Sequence, residues 1–284
     1  MKRILFRTLL VSLAVWLLPV QAHADQHEKG NAVQPALQAL ADGEHRSAEH
    51  KARNTYRHPA ETLAWFGITE DMTVVEISPG SEGWYMEILA PFLKDKGKYY
   101  AAGPDAESSV AYIQDSLKSM NEKITGNPDL YGAVIVTELA PQAGKTTIAP
   151  EGSADMVLTF RNVHNWMSGG YTDAVFAAMY KALKPGGILG LTEHRGNPDV
   201  EQDPKAASGY VTEAATIKLA EAAGFKLVDR SEINANPKDT KDYEGGVWTL
   251  PPRLRLGDKD REKYVAIGES DRMTLKFVKP KAES

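Results

Sequence analysis

The sequence predicts an α/β fold: a doubly wound, mainly parallel sheet of seven strands, with the last strand antiparallel. Short runs of β-branched and apolar residues alternate with segments of helical spacing along most of the chain. Turns rich in glycine and proline separate these segments. Because strands that alternate with helices form right-handed βαβ units, the sheet is expected to be mainly parallel and covered by helices on both faces.

The order of the elements follows from the same patterns. We expect strands over residues 73–77, 98–102, 133–137, 154–160, 188–192, 225–229 and 273–278. We expect helices over residues 85–93, 108–120, 172–183 and 211–223. The third of these helices is followed by Lys184-Pro185-Gly186-Gly187, a combination that ends helices.

The N-terminus has the pattern of a secretory signal peptide. A basic start at Lys2 and Arg3 precedes an almost wholly apolar run from Leu9 to Leu18, and Ala22-His23-Ala24 supplies a small-x-small cleavage site. We therefore expect residues 1–24 to be removed and the mature protein to be periplasmic. The alternative is a retained membrane anchor, but the small-residue exit favours cleavage.

Three regions follow from this organisation. Residues 25–56 form a helical lead-in, and residues 57–280 form one α/β domain. Within that domain, residues 233–269 are an unusually long connection before the last strand. We expect this connection either to close over the substrate, with Trp248 and Arg253 facing inwards, or to be a solvated insertion packed on the sheet edge.

Composition excludes several classes of protein. The formal net charge is −5, whereas a nucleic-acid-binding domain would be strongly basic, so no nucleic-acid partner is expected. The absence of cysteine excludes disulfides, thiolate chemistry and lipid attachment at a lipobox. After signal cleavage no further segment is long and apolar enough to span a membrane, so no membrane partner is expected.

The loop after the first strand contains the clearest ligand-binding pattern. Glu76 ends the strand, and a turn with Ser78, Gly80 and Gly83 precedes the next helix. Glycines let the backbone approach a ligand closely, and the N–H groups at a helix start can bind a carboxylate or phosphate. An ordinary βα turn uses the same residues, so this loop alone does not decide between a ligand-binding loop and a structural turn.

Three later segments, added to this loop, resemble the class I S-adenosylmethionine (SAM)-dependent methyltransferases. Residues 151–158 are similar to the acidic fourth-strand motif of that family, 161–166 to its His-aromatic segment, and 182–189 to the motif before its fifth strand. The resemblance covers roughly residues 57–280 and is nearest to a group of predicted exported methyltransferases. It implies a Rossmann-like methyltransferase fold that binds SAM.

The resemblance assigns cofactor-binding roles to the first loop. Glu76 matches the acidic residue that orients the amino-acid end of SAM, and Ser78, Gly80 and Gly83 match the glycine loop beneath its methionine portion. The sequence departs from the family pattern at two points, because Ser78 replaces the first glycine and Gly83 comes one residue late.

Further roles follow for the neighbouring strand ends. The family has an acid for the ribose where this chain has Gly103, so Asp105, two residues later, is the substitute. Glu138 matches the residue that faces the adenine. Asn162 and His164 lie on the loop that faces the reactive methyl group and the substrate.

Histidine is the most frequent general base, and two histidines follow predicted strands. His164 is the first candidate and His194 the second, while a purely structural role for each stays open. We expect no metal, because no close-spaced set of ligand residues is present. Arg161 and Arg195 could grip an anionic substrate or form salt bridges to Glu193 or Asp199.

Two functions remain open on the sequence. One is a SAM-dependent methyltransferase that acts on an unknown small-molecule or protein substrate. The other is a non-catalytic periplasmic binding protein that kept the methyltransferase scaffold and lost SAM.

Overall fold

The computed structural model describes residues 32–281. The signal-peptide prediction concerns residues outside this range. The seven strands are β1 (Thr73–Ile77), β2 (Lys98–Gly103), β3 (Ile135–Glu138), β4 (Ala154–Phe160), β5 (Leu183–His194), β6 (Lys226–Ser231) and β7 (Arg272–Val278). They form one sheet in the order β3-β2-β1-β4-β5-β7-β6.

The pairing confirms the predicted sheet. The β1–β2, β1–β4, β2–β3 and β4–β5 pairs are parallel, and only β7 runs against its neighbours, β5 and β6. Because β6 lies at the edge beyond β7, the chain skips one strand position between β5 and β6, along α10. The long connection then joins β6 to β7, which is its antiparallel neighbour.

The helices cover both faces of the sheet. A first helix, α1, covers residues 32–41. The others are α2 (Ala48–Ala52), α3 (Asn54–Arg57), α4 (Pro59–Phe66), α5 (Met86–Leu93), α6 (Ala111–Gly126), α7 (Pro128–Tyr131), α8 (Val163–Gly169), α9 (Thr172–Ala182), α10 (Glu213–Ala222) and α11 (Arg261–Ile267). None of the helices within residues 32–281 has the length and apolar character needed to cross a bilayer.

Strand alternation divides the interior into two cores. Val74 and Met156 point to the face covered by α4 and α5, and Val75 and Val157 point to the opposite face. Successive residues of β1 are therefore apolar on both sides, as expected for a strand buried between two helical layers. The carboxyl ends of the parallel strands all meet at one edge of the sheet.

The start of β5 differs from the prediction. Helix α9 ends at Ala182, one residue before the predicted end, and the strand already begins at Leu183 and includes the Pro-Gly-Gly segment. The Gly186 N–H donates to the Lys279 carbonyl, and the Lys279 N–H donates to the Gly187 carbonyl. The breaker therefore ends the helix by pairing with the residues after β7.

The connection before β7 is a packed structure. It includes a 3₁₀ turn at Gly246–Thr249 and helix α11, neither of which the sequence predicted. Within it Val247, Leu250 and Tyr264 are buried. The segment is therefore folded onto the domain.

Candidate cofactor and active site

The strand order reverses between β1 and β4, which places a crevice between their carboxyl ends. Asn162 joins the two ends, since its side-chain amide donates to the Ile77 carbonyl at 3.0 Å and to the Thr159 hydroxyl at 3.2 Å. The predicted cofactor-facing residue therefore lies at the crevice, where its amide fixes the spacing of the two strand ends.

The loop after β1 has the backbone conformation of a glycine loop despite its altered sequence. Ser78 has φ 51° and Gly80 has φ 79°, both in the left-handed region. A non-glycine residue in that region costs about 1–2 kcal/mol, so the fold retains this conformation at Ser78 against a local preference. The missing first glycine therefore leaves the conformation of the loop intact.

The two remaining glycines of this loop have different roles. A Cβ added at Gly80 would meet nothing within 4 Å, whereas one added at Gly83 would lie 2.7 Å from the Met86 Cε. Gly80 thus borders open space that a ligand can enter, and Gly83 permits close packing of α5.

A cavity of about 170 Å³ lies against this loop. Its walls include Ser78, Gly80 and Gly103, and the remainder is largely apolar: Pro79, Ala101, Pro104, Tyr112, Ile113, Leu117, Met120 and Val136, with Ser116. An added Cβ at Gly103 would come no closer than 3.9 Å to another atom. The residue that replaces the family's ribose acid thus lines this cavity.

The two acids expected to contact the ribose and the adenine, Asp105 and Glu138, form salt bridges to the same lysine. The Lys145 ammonium lies 2.6 Å from Asp105 and 3.1 Å from Glu138. Glu138 also accepts a hydrogen bond from the Ala106 N–H at 2.6 Å. Neither acid belongs to the cavity wall, so their predicted roles require Lys145 to release them.

Glu76 is a buried acid at the end of β1. Its carboxylate accepts a hydrogen bond of 2.5 Å from the Tyr99 hydroxyl. Burial raises the pKa of Glu76 to about 7, against the lowering effects of the Tyr99 hydroxyl and the Arg161 charge. The group is therefore close to half-protonated at neutral pH, and a bound cation would ionise it.

The two candidate bases lie side by side, with ring centroids 5.4 Å apart. His164 Nδ1 lies 3.0 Å from the Glu193 carboxylate, which is fully buried, and His194 Nδ1 lies 2.5 Å from the Ser270 hydroxyl. Burial, followed by the neighbouring His164, holds the pKa of His194 well below its ordinary value. His194 is thus a neutral imidazole at neutral pH.

His164, Glu193 and His194 also form a group with metal-binding residue types. Their candidate ligand atoms lie within 4.8 Å of one another, although the sequence separation of His164 from the other two gave no ligand pattern. Within the group, the Glu193 carboxylate also accepts hydrogen bonds from the backbone N–H of His164 at 3.3 Å and of His194 at 2.7 Å. These bonds already engage both oxygens, so the arrangement suits orientation of His164 better than coordination of a metal.

The two strand-end arginines have different environments. Arg195 forms salt bridges to Asp271 at 2.8 Å and Glu232 at 2.6 Å, so its partners differ from those expected from the sequence. Arg161, which is partly exposed with φ 59°, has no hydrogen-bond or salt-bridge partner for its guanidinium within residues 32–281.

The long connection contributes an aromatic side chain to this edge of the sheet. The Trp248 ring lies 6.0 Å from the His164 ring in an edge-on orientation, and the Arg255 guanidinium lies 4.5 Å from the Trp248 ring. Trp248, Arg255 and the exposed Arg253 line a groove of about 390 Å³. Trp248 therefore faces the candidate bases, and Arg253 lies further out.

Comparison with solved structures relates this fold to that of SAM-dependent methyltransferases. A SAM-dependent methyltransferase from Aquifex aeolicus matches with TM-score 0.54 and 15% identity, over 87% of this chain and 98% of that one. Haemonchus contortus phosphoethanolamine N-methyltransferase 2, in complex with S-adenosyl-L-methionine, matches with TM-score 0.52 and 15% identity, over 93% of this chain and 61% of that one.

A third match is the [4+2]-cyclase SpnF, with TM-score 0.54 and 13% identity, over 90% of this chain and 97% of that one. No model of a known protein family matches the sequence, and comparison with curated proteins finds no match. The likeness therefore establishes the fold, and function must be argued from the site.

Proposed function

We propose that this protein is a SAM-dependent methyltransferase that acts on a small-molecule or protein substrate. The observation that supports this most directly is the loop after β1. Ser78 and Gly80 adopt left-handed conformations and, together with Gly103, border a cavity at the carboxyl ends of β1 and β2. Open α/β sheets bind ligands at this carboxyl edge, and the loop after β1 adjoins the crevice between β1 and β4 where the strand order reverses. The loop also matches the cofactor loop that the resemblance implies.

Glu76 suits the amino-acid end of the cofactor. A carboxyl group with a pKa of about 7 can become an anion when a cationic amino group binds nearby. The N–H groups of the loop that begins at Ser78 can donate hydrogen bonds to the cofactor's carboxylate, and Gly80 has no side chain to obstruct it. Bound SAM supplies a methyl group on a positively charged sulfur, which is open to in-line nucleophilic attack.

His164 is the group we assign to accept a proton from the nucleophile. Its Nδ1 faces Glu193, and its Nε2 has no hydrogen-bond partner within residues 32–281. The Glu193 carboxylate fixes the ring orientation and stabilises the imidazolium that forms on proton transfer. His194 is neutral at neutral pH and is hydrogen-bonded to Ser270. It is the second candidate for the general base. Trp248, from the long connection, closes this side against water.

Calorimetric titration with SAM and S-adenosylhomocysteine tests the proposal. We expect micromolar binding by the wild-type protein and loss of binding in Gly80→Val, whose side chain would project into the cavity. Glu70→Gln, an exposed change elsewhere on the surface, is the control for handling and folding. A well-folded wild-type protein that binds neither compound would refute the proposal.

We further propose that the protein is exported to the periplasm, acts without a nucleic-acid or membrane partner, and loses residues 1–24. The basic start, apolar run and Ala22-His23-Ala24 site support this. Mass spectrometry of the protein from its native host should find a chain that starts at Asp25. A chain that retains residues 1–24 would contradict the proposal.

A further inference from the structure

Four arginine side chains lie together at the carboxyl edge of the sheet. Arg53 donates to the Glu269 carboxylate at 2.5 Å, Arg57 donates to it at 3.2 Å, and Arg272 also donates to it. Arg161 follows β4, and its backbone N–H donates to the Thr192 carbonyl near the end of β5, where His194 pairs with Arg272. The charge of Arg161 also lowers the pKa of Arg57, second only to burial. We call Arg53, Arg57, Arg161 and Arg272 the arginine cluster.

One carboxylate cannot neutralise this cluster. Burial alone would raise the pKa of Glu269, but the charges of Arg272, Arg57 and Arg53 hold it below its ordinary value, so Glu269 is an anion. It balances one of four guanidinium groups, which stay protonated in proteins. Burial and the charge of Arg272 lower the pKa of Arg161 to about 10, which still leaves it cationic at neutral pH. The cluster therefore has a surplus of positive charge.

Several donors of the cluster have no acceptor within the described part of the chain. Both terminal nitrogens of Arg57, one terminal nitrogen of Arg53 and the Nε of Arg272 are buried without a hydrogen-bond partner. Arg57 and Arg272 are only 2% and 3% exposed, so bulk water does not readily satisfy these atoms. Buried polar groups are ordinarily hydrogen-bonded, and a cluster of exceptions points to a missing acceptor.

The cluster is also held in place before any ligand binds. The Arg57 guanidinium stacks 4.6 Å from the centroid of Trp84, and the Arg272 Nη1 donates to the Tyr56 carbonyl at 2.9 Å. Fixed guanidinium planes lose little conformational entropy when they bind an anion. The site is therefore preorganised for an anion with several acceptor atoms.

The charge surplus decides which anion fits. A carboxylate would supply one negative charge and two oxygens, and a phosphate monoester supplies up to two charges and three oxygens. Donors from different arginines need acceptors in several directions, which a tetrahedral group provides. Arg272 is the β7 partner of His194 in β5, so the cluster lies beside the proposed catalytic histidines. The charges of Arg272 and Arg161 also lower the pKa of His194.

We propose that the arginine cluster binds a phosphoryl group, and that the substrate of this protein is a phosphorylated molecule anchored there with its nucleophile towards His164. The second clause rests on the proposed methyltransferase function, whereas the anion site does not.

Calorimetric titration of the protein with inorganic phosphate, at constant ionic strength set with chloride, tests the site. We expect saturable binding that becomes about tenfold weaker in Arg161→Gln, because one charge-assisted contact is lost. The Arg161 guanidinium has no hydrogen-bond or salt-bridge partner within residues 32–281, so its replacement should leave folding intact. Arg195→Gln is the matched control: it also removes an arginine that follows a strand, but Arg195 is already neutralised by Asp271 and Glu232.

The outcomes separate the alternatives. Absence of phosphate binding, or equal weakening in Arg161→Gln and Arg195→Gln, would overturn the site. Acetate binding as tight as phosphate binding would overturn the phosphoryl assignment in favour of a carboxylate. Gly80→Val protein should still bind phosphate, so loss of the cofactor site and loss of the anion site are measured independently.

A second variant tests the charge surplus itself. Within residues 32–281, Glu269 is the only carboxylate that hydrogen-bonds to the cluster. For Glu269→Gln we therefore expect a lower melting temperature and a larger rise on adding phosphate than in the wild type. A rise equal to or smaller than that of the wild type would contradict the proposal.

Discussion

His164 and Glu193 meet across two adjacent strand ends, with Nδ1 of the imidazole 3.0 Å from a fully buried carboxylate. The same carboxylate accepts hydrogen bonds from the backbone N–H groups of His164 and His194, so its position is fixed from two directions. A carboxylate in this position keeps a proton on Nδ1 and leaves Nε2 free to accept one. The pair thus has the geometry of an oriented general base.

The first prediction concerns this pair. In Glu193→Gln an amide NH₂ group faces one of the N–H groups that now donate to the carboxylate. That N–H group would be buried without an acceptor, which should lower the free energy of unfolding by about 1–3 kcal/mol. The ¹⁵N shifts of His164 should show a protonated Nδ1 in the wild type and a mixture of tautomers in the variant. Glu232→Gln, an exposed change nearby, should alter neither measurement. An unchanged tautomer in Glu193→Gln would refute the orienting role.

The second prediction concerns the pH dependence of stability at Glu76. Its pKa of about 7 in the folded state lies above the ordinary value of 4.5, so the folded state binds more protons between these values and loses stability as pH rises through them. Glu76→Gln keeps the acceptor for Tyr99 without the charge. We compare the free energy of unfolding of the variant with that of the wild type. This difference should be about 3 kcal/mol more favourable to the variant at pH 8 than at pH 4.

Urea unfolding at the two pH values measures this change. Glu70→Gln, which alters an exposed acid, should give the same difference at both. A Glu76→Gln effect that does not vary with pH would show that the carboxyl group titrates normally in the folded protein.

The third prediction concerns Glu87, which joins three parts of the chain. This buried carboxylate accepts hydrogen bonds from Arg46 at 3.0 Å and His50 at 2.8 Å, and also from Lys123. Burial alone would raise its pKa, but the hydrogen bonds from His50 and Lys123 outweigh it and lower the pKa to about 2. Its contribution is therefore present above pH 4.5 and is lost as pH falls towards 2.

Glu87→Gln should lower the free energy of unfolding by about 2–3 kcal/mol at pH 7 and flatten the acid side of the stability profile. Glu82→Gln is the matched control, since Glu82 also bonds to His50 but its side chain is 71% exposed. We expect that change to cost under about 0.5 kcal/mol. Equal losses in the two variants would contradict the buried network.

The fourth prediction separates the two glycines of the loop after β1. Gly80→Ala adds a methyl group in open space and should cost about 1 kcal/mol through its positive φ, while weakening S-adenosylhomocysteine binding. Gly83→Ala brings a Cβ to within 2.7 Å of Met86 Cε at φ 56°, so it should cost about 2–3 kcal/mol. Thermal unfolding with and without ligand distinguishes them. The reverse order of stability losses would contradict the assigned roles.

The apolar patterns of the sequence predict the seven strands and most of the helices between them. The predicted strands 73–77 and 154–160 coincide with β1 and β4 at both ends, because strands buried on both faces leave continuous apolar patterns. The helix that was expected from Ser108 instead covers Ala111–Gly126, since most of its residues lie on the surface, where few apolar positions mark its ends. The 3₁₀ turn and helix α11 in residues 233–269 have no strong periodicity and were missed.

Which side chains meet at the site depends on contacts between elements that are distant in the sequence. Glu193 comes to His164 because β4 and β5 are neighbours, and Lys145 comes between Asp105 and Glu138 because their loops adjoin. The arginine cluster draws on residues more than 200 positions apart, joined through Glu269. The spacing of apolar residues in the sequence indicates the type of each single element. These contacts depend instead on the order of the strands in the sheet. The physical reason is that charge pairing and burial are properties of neighbours in space, which a linear pattern does not contain.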